Sequence, residues 1–430
     1  MKTKILLGVG FYFITVLSFS QSFMGKLGYG LSPAGFPIDY SQIPAFLQET
    51  GQMCNGNGVV FQNAEWRDNS ASSGIIPAGH KAISQNRDVY GYTDMLGFGW
   101  GHYPDISLDV SGDATKNWTN ATAKALFLQM LINAADSLQP AYLFIGNEIN
   151  FYYQDDSLDF PNFVDFYHQA YDSVKAHSPN TKVGTNFNYE HLSGQGVLTG
   201  WNTSYWNAFN LFDTSKIDVF SFTLYPFFQY STANSVPVNY LDGIFNKIGN
   251  KPLVISETGW PADSLIGTWT SSSVQQVDYV NKLFSMVQGK NVEVINWLFL
   301  NYLMSQANDG FKIFGSVSMR DSVGNDRPAL PVWLSYCEST TSIVETADQN
   351  NTLKIYPNPF NTFTTLQLDK IISNAEISIY NVFGQKVKTI NNISSDKIKI
   401  YRDNLPVGLY FILLTEDDKV ISSVNFLISN

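Results

Sequence analysis

The sequence predicts an α/β fold, a (β/α)8 TIM barrel over residues 21–338, followed by a small C-terminal antiparallel β-sandwich over residues 353–430. Two observations carry this expectation. From residue 25 to 338, short apolar runs alternate with longer segments of helical period, as repeated strand–helix units around a parallel sheet require. From residue 353 onward the period drops to two, in short runs separated by turn residues, as in antiparallel strands. Residues 339–352 between them are polar and without period, and read as a linker.

In chain order, strands are expected over 25–31, 58–63, 93–98, 141–146, 182–187, 217–224, 252–256 and 293–299. Eight strands over ~300 residues suit a closed barrel, with a doubly wound open sheet as the alternative. The clearest helix spans 121–138, where Ala125, Leu128, Leu131 and Ile132 recur on one face and Pro140 lies just beyond the end. Segments 163–177 and 274–288 behave likewise, and 40–53 and 328–336 are the candidates for the first and eighth barrel helices. In the tail, strands are expected over 366–368, 377–380, 397–401, 410–415 and 420–428, with turns near Asn358-Pro359, Phe383-Gly384, 406–408 and 416–418.

Residues 1–20 read as a signal peptide: Lys2 and Lys4, an apolar run over 5–17, then Ser18-Phe19-Ser20 before Gln21. A membrane anchor is the alternative, but the run is short for a span and no Cys follows it for lipidation. The expected mature chain is soluble, monomeric and outside the cytoplasm. A net charge of −11 argues against nucleic acid as a partner. Aromatic residues make up 15%, with nine Trp and 23 Tyr, which suits a protein that stacks on sugar faces. Only Cys54 and Cys337 are present. The first and eighth helices are neighbours in a closed barrel, so their C-terminal ends meet at the bottom and a Cys54–Cys337 disulfide is expected there. Two unrelated buried thiols are the alternative.

Two glutamates stand at strand ends. Glu148 follows the fourth strand in Tyr142-Leu143-Phe144-Ile145-Gly146-Asn147-Glu148-Ile149. Glu257 follows the seventh in Leu253-Val254-Ile255-Ser256-Glu257-Thr258-Gly259-Trp260-Pro261. In a parallel barrel, active-site groups come from the C-terminal ends of strands, where loops open the top face. A carboxyl pair there suits cleavage of a glycosidic bond. One acid protonates the leaving oxygen while an ionised carboxylate attacks the anomeric carbon. An Asn-Glu dipeptide alone is a weak signal, and surface loop glutamates are the alternative; the conjunction of the two positions carries the weight.

That conjunction resembles clan A glycoside hydrolases, which place the acid/base after strand four and the nucleophile after strand seven. The resemblance implies a retaining enzyme that cuts β-linked polysaccharide by double displacement, with Glu148 as acid/base and Glu257 as nucleophile; the expected secretion and a Trp-rich face suit endo action on long chains. The resemblance also implies that Asn147 binds the sugar 2-hydroxyl, that Tyr225 hydrogen-bonds the nucleophile and that Trp297 is an aromatic platform. Core packing is the alternative for Tyr225 and Trp297. Glu65, Trp66 and Arg67 end strand two, where Arg67 is a candidate to hydrogen-bond the nucleophile and Glu65 to bind a hydroxyl; Trp100 and His102 after strand three, and Asn186 and Asn188 near strand five, are further candidate sugar contacts. For Glu65 and Arg67 an ion pair is the alternative, and Trp260 reads equally as packing. The segment 145–150 is similar to arabinogalactan endo-β-1,4-galactanases, whereas 256–261 is similar to endo-β-1,3-glucanases, so the motifs point to different families. A non-catalytic sugar-binding or adhesion protein on the same barrel is the other reading.

No cofactor and no metal are expected. The five histidines (80, 102, 168, 177 and 191) form no ligand spacing, the Gly-rich segment 51–58 lacks the Lys-Ser/Thr of a phosphate loop, and no Gly-x-Ser-x-Gly elbow occurs. In the tail, Tyr356-Pro357-Asn358-Pro359, Ile379-Tyr380-Asn381-Val382-Phe383-Gly384-Gln385, Leu405-Pro406-Val407-Gly408-Leu409-Tyr410-Phe411 and the terminal apolar strand follow one another in order. They resemble the C-terminal sorting domain of the type IX secretion system. That implies delivery to the cell surface or medium, with the tail engaging the secretion machinery and the barrel engaging a polysaccharide or oligosaccharide. A carbohydrate-binding β-sandwich is the alternative for the tail.

Overall fold

The computed structural model describes residues 23–65, 76, 78–99, 117–264, 270–304, 312–338, 354–368, 371–381, 386–416 and 419–429. The expected signal peptide, the linker and the tail motif residues 382–385 lie outside the described residues. The chain divides into two compact units, Met1–Thr340 and Thr341–Asn430.

The first unit is built on β1 (Lys26–Gly30), β2 (Val59–Glu65), β3 (Thr93–Gly99), β4 (Tyr142–Ile145), β5 (Lys182–Gly184), β6 (Asn186–Asn188), β7 (Phe220–Leu224), β8 (Leu253–Thr258) and β9 (Val292–Trp297). All pair in parallel, in the order β5-β4-β3-β2-β1-β9-β8-β7-β6. The outermost members, β5 and β6, are two halves of one run interrupted at Thr185, one half pairing with β4 and the other with β7. The seam is stitched at its base. The Asp218 amide donates to the Val183 carbonyl at 2.9 Å, and the Val183 amide donates to Asp218 Oδ2 at 3.0 Å. The eight expected strands are therefore all present, the fifth of them bent into two.

Period two decides which side chains fill the barrel. Val59, Phe61, Met95, Phe144, Val219, Val254 and Val294 form one buried cluster, while their strand neighbours Val60, Leu96, Leu143, Ile255 and Ile295 join the larger cluster with the helices. Strands β2, β3, β4, β8 and β9 carry apolar side chains on both faces, as a sheet buried on both sides requires. The helices carry ordinary stop and start chemistry. Asn120 Oδ1 accepts from the Ala123 amide at 2.9 Å to begin Ala121–Ser137, and Ser272 Oγ accepts from the Gln275 amide at 3.3 Å to begin Ser273–Val287.

Cys54 and Cys337 are joined, with Cα atoms 4.6 Å apart and a sequence separation of 283. They lie in the segments Ile43–Gly56 and Ala329–Glu338. The last turn of the first of these is not helical, because Cys54 and Asn55 adopt φ of 55° and 58°. Lys26, which opens β1, donates to Asn57 Oδ1, which marks this end as the base of the barrel.

The second unit has two antiparallel sheets. One holds β10 (Lys354–Tyr356), β11 (Phe363–Gln367) and β14 (Lys397–Tyr401), and the other holds β12 (Ala375–Asn381), β13 (Lys386–Ile393), β15 (Gly408–Glu416) and β16 (Lys419–Ile428). Leu366, Ile377, Ile379, Ile400, Ile412, Leu414 and Phe426 are buried together as its core. Strand β13 is not anticipated from sequence. Its residues Lys386, Lys388, Asn391 and Asn392 leave little apolar alternation to read.

Thiol titration of the denatured, unreduced protein should find no free thiol, and two per chain would refute the bridge. Reduction, or Cys337→Ser, should lower stability by about 2–5 kcal/mol in urea unfolding, since a closure this long restrains the unfolded chain strongly.

Candidate active site

Beyond β4 the backbone leaves the sheet in an unusual way. Gly146 takes φ 90° and Glu148 φ 48°. Left-handed backbone is natural for glycine but costs a residue with a Cβ roughly 1–3 kcal/mol. The fold holds it from both sides. The Gly146 amide donates to the Phe98 carbonyl of β3 at 2.8 Å, and the Ile149 amide donates to the Asn186 carbonyl of β6 at 3.1 Å. Glu148 is thereby turned to the top of the barrel, where Thr223 Oγ1 (2.6 Å) and Asn188 Nδ2 (3.0 Å) both donate to its Oε1.

Glu257 reaches the same end by a different device. Pairing of β8 shifts register between Phe222 and Thr223 on one side and between Ile255 and Thr258 on the other. This irregularity breaks the alternation of β8, so that Thr258 turns to the helices and bonds the Tyr279 hydroxyl at 2.6 Å. Glu257 is left as the cross-strand partner of Thr223, and Tyr225 donates its hydroxyl to Glu257 Oε2 at 3.0 Å. Thr223 thus touches one carboxylate and stands beside the other. Burial, followed by the charges of Glu257 and Glu148, holds the Tyr225 phenol well above its usual range, so it remains a donor.

Behind Glu148 lies a buried polar chain. Asn188 Oδ1 caps the short helix Tyr189–Ser193 by accepting from the His191 amide, and the Asn188 amide donates to Asn150 Oδ1 at 2.8 Å. Asn150 Nδ2 donates to His191 Nδ1 at 2.6 Å, and His191 Nε2 donates to Gln154 Oε1 at 2.7 Å. Burial pushes His191 down to about 4, so the ring is neutral, as this pattern of one accepting and one donating nitrogen requires. Behind Tyr225, Glu190 Oε1 accepts from the Tyr225 amide and from the Tyr240 hydroxyl, each at 2.9 Å. Burial pushes the Glu190 carboxyl up to about 7, against the lowering effect of those two bonds.

Of the other expected contacts, Asn186 Nδ2 meets Asn147 Oδ1 at 3.3 Å, so these two also lie at the top end. Trp297 does not join them. Its side chain is fully buried against Tyr279 and Trp333, with Nε1 donating to the Val317 carbonyl at 2.8 Å, because its place in β9 points outward to the helices. Trp260 is likewise buried against Phe227 and Tyr279. Trp66, Arg67, Trp100 and His102, with the side chain of Glu65, lie outside the described residues. Thr223, Asn150, Gln154, His191 and Glu190 escaped the sequence reading. For Glu190 and His191 the signal was the run of polar residues in Asn186-Phe187-Asn188-Tyr189-Glu190-His191. Glu257 stands in the wall of a cleft of about 570 Å³ whose lining includes Phe36, Tyr40, Phe61, His80, Phe299 and Phe314.

Residues 102–308 match glycosyl hydrolase family 53, and residues 354–428 match the secretion system C-terminal sorting domain. The chain thus carries a glycoside hydrolase domain and a C-terminal sorting domain. No curated protein matches it. Among solved structures, the chain is similar to fungal β-1,4-galactanases, with 16% identity, 72% of this chain and 99% of that chain covered, and a TM-score of 0.52. It is also similar to the exo-β-1,4-mannosidase Op5Man5 from Opitutaceae bacterium strain TAV5, with 12% identity, 74% and 60% covered, and a TM-score of 0.54. A calcium-binding mutant of β-glucuronidase 2 from Bacteroides uniformis matches at 10% identity and a TM-score of 0.48, covering 94% of this chain. The chain spans 45% of that enzyme's length. At these identities the likeness is one of fold.

The two buried titratable groups give opposite dependences of stability on pH. Glu190 is raised from 4.5 to about 7, so the folded state keeps a proton that the unfolded chain releases. Its contribution, on the order of 3 kcal/mol, is full below pH 4.5 and is lost as pH rises through about 7. His191 is depressed from 6.5 to about 4, so its contribution is full above pH 6.5 and is lost as pH falls through about 4. Urea unfolding should therefore show Glu190→Gln gaining on the wild type as pH rises from 4.5 to 7. A difference that does not vary with pH would show that Glu190 titrates as in the unfolded chain.

Proposed function

We propose that the chain is a retaining glycoside hydrolase that cuts β-linked polysaccharide, with Glu257 as nucleophile and Glu148 as acid/base. The observation that carries this reading is Thr223, which donates to Glu148 while lying directly across from Glu257 in the neighbouring strand. It sets two carboxylates side by side at the open end of a barrel, as cleavage through a glycosyl-enzyme requires.

In the first step, a Glu257 oxygen attacks the anomeric carbon as the bond to the leaving oxygen breaks, and Glu148 gives that oxygen its proton. Two donors already occupy Oε1 of Glu148, so the transferable proton sits on Oε2. In the second step, Glu148 takes a proton from water, the water oxygen attacks the same carbon, and the ester to Glu257 breaks. Two inversions return the original configuration. Tyr225 holds Glu257 in line through its hydroxyl. The cleft beside Glu257 takes the sugar that bears the attacked carbon, and its aromatic lining supplies flat faces for sugar rings. β-1,4-Galactan is the first substrate to test, on the family match of residues 102–308 and the similarity to fungal β-1,4-galactanases. The tail serves as an address for type IX secretion, after removal of residues 1–20, and delivers the enzyme to the cell surface or medium.

Glu257→Ala should abolish release of reducing ends from galactan, β-1,3-glucan, mannan or xylan, whichever the wild type cuts, and azide should restore part of it. Glu148→Gln should harm substrates with poor leaving groups most. An NMR time course showing products of inverted configuration, or polysaccharide binding without release of reducing ends by the wild type, would sink the reading.

A truncated chain ending at residue 338 should keep full activity yet fail to reach the surface or medium of a host with type IX secretion. Loss of polysaccharide binding on truncation would instead mark the tail as a binding module.

A further inference from the structure

The hydrogen bonds behind Tyr225 lead to a carboxyl group that the reaction as proposed does not use. Glu190 is wholly buried in the helix Tyr189–Ser193 beyond β6. One of its oxygens accepts from the Tyr225 amide and the Tyr240 hydroxyl, and the other, Oε2, is buried with no hydrogen-bond partner among the described residues. A carboxyl group is a costly way to satisfy one amide and one hydroxyl in a core, where a single carbonyl oxygen of an uncharged side chain would serve. Its position supplies a reason. Tyr225 is held at its amide by Glu190 and at its far end meets Glu257, so the one aromatic residue spans from the buried carboxyl to the proposed nucleophile.

Resting on the proposed roles of Glu257 and Glu148, we propose that Glu190 is a positioning residue that fixes Tyr225 and, through the Tyr225 phenol, aims Glu257 at the anomeric carbon. Tyr240 donates its own hydroxyl to the same oxygen of Glu190. The charge of Glu190 is felt by Tyr189 and Tyr279, and the charge of Glu148 raises Glu190 further. His191, next in sequence, turns the other way, toward Asn150 and Gln154. The two anchors therefore have separate duties: the Asn188–His191 chain steadies Glu148, and Glu190 steadies Glu257.

The test is a double-mutant cycle on the polysaccharide that the wild type cuts fastest. Glu190→Ala should lower kcat about 10²-fold, the cost of misplacing a reacting group by about an ångström, while KM changes less than about threefold. Glu190→Gln, which keeps an accepting oxygen, should restore most of kcat. In a Tyr225→Phe background, Glu190→Ala should add less than about threefold, because its route to Glu257 is already cut. An unchanged kcat in Glu190→Ala, or full additivity with Tyr225→Phe, would overturn the proposal. If Glu190→Ala does not fold, Tyr240→Phe takes its place in the cycle, and wild-type kcat or additivity there overturns it equally. The two readings fail differently. Turnover surviving in Glu257→Ala removes the proposed catalytic pair, whereas an inactive Glu257→Ala with an additive cycle removes only the role of Glu190.

Discussion

Closure of the barrel depends on one short run that must satisfy two neighbours at once. Residues 182–188 pair with β4 through their first half and with β7 through their second, and the change of partner occurs at Thr185. Without that bend, β4 and β7 would each present an unpaired edge, and buried backbone groups would go unsatisfied. The bend also decides the chemistry. It brings Asn186 and Asn188 beside Asn147 and Glu148, and it launches the short helix that carries Glu190 and His191. Two of the seven residues that close the seam, Asn186 and Asn188, are thus also residues of the site.

The legible parts of this sequence were those where composition changes sharply. Apolar runs that end in Gly-Asn-Glu and Ser-Glu-Thr mark two strand mouths, and those glutamates do lie together at the top of the barrel. The facing of Trp297 was not legible, because large apolar residues lie on both sides of β9 (Val294 on one, Val292 and Ile295 on the other) and the polar Glu293 and Asn296 do not alternate with them. The irregularity of β8 was hidden for a similar reason: a register shift has no residue signature in Leu253–Thr258. Thr223 lay unremarked within the expected strand 217–224, and Glu190 lay between expected strands with nothing to single it out. In both, function comes from partners far away in sequence.

The donors that hold Glu148 are neutral. Thr223 and Asn188 supply hydrogen bonds without a full positive charge. A cation in their place would favour the ionised carboxylate and oppose the uptake of a proton. Neutral donors to one oxygen keep their bonds whether the other oxygen is protonated or bare, so the group is held in place through both states. Tyr225 offers Glu257 the same kind of support, and its raised phenol keeps the proton on the tyrosine. A left-handed backbone at Glu148, clamped by β3 and β6, adds rigidity where hydrogen bonds alone would allow rotation.

The bridge between Cys54 and Cys337 changes how the barrel bears load. A pull on the chain beyond Glu338 meets Cys337 first and passes through sulfur to Cys54 as well as along the backbone. Strands β2 to β9 all lie between the two cysteines in sequence, inside that closure. Load applied at Glu338 is therefore received at the base of the barrel, the end opposite the two carboxylates.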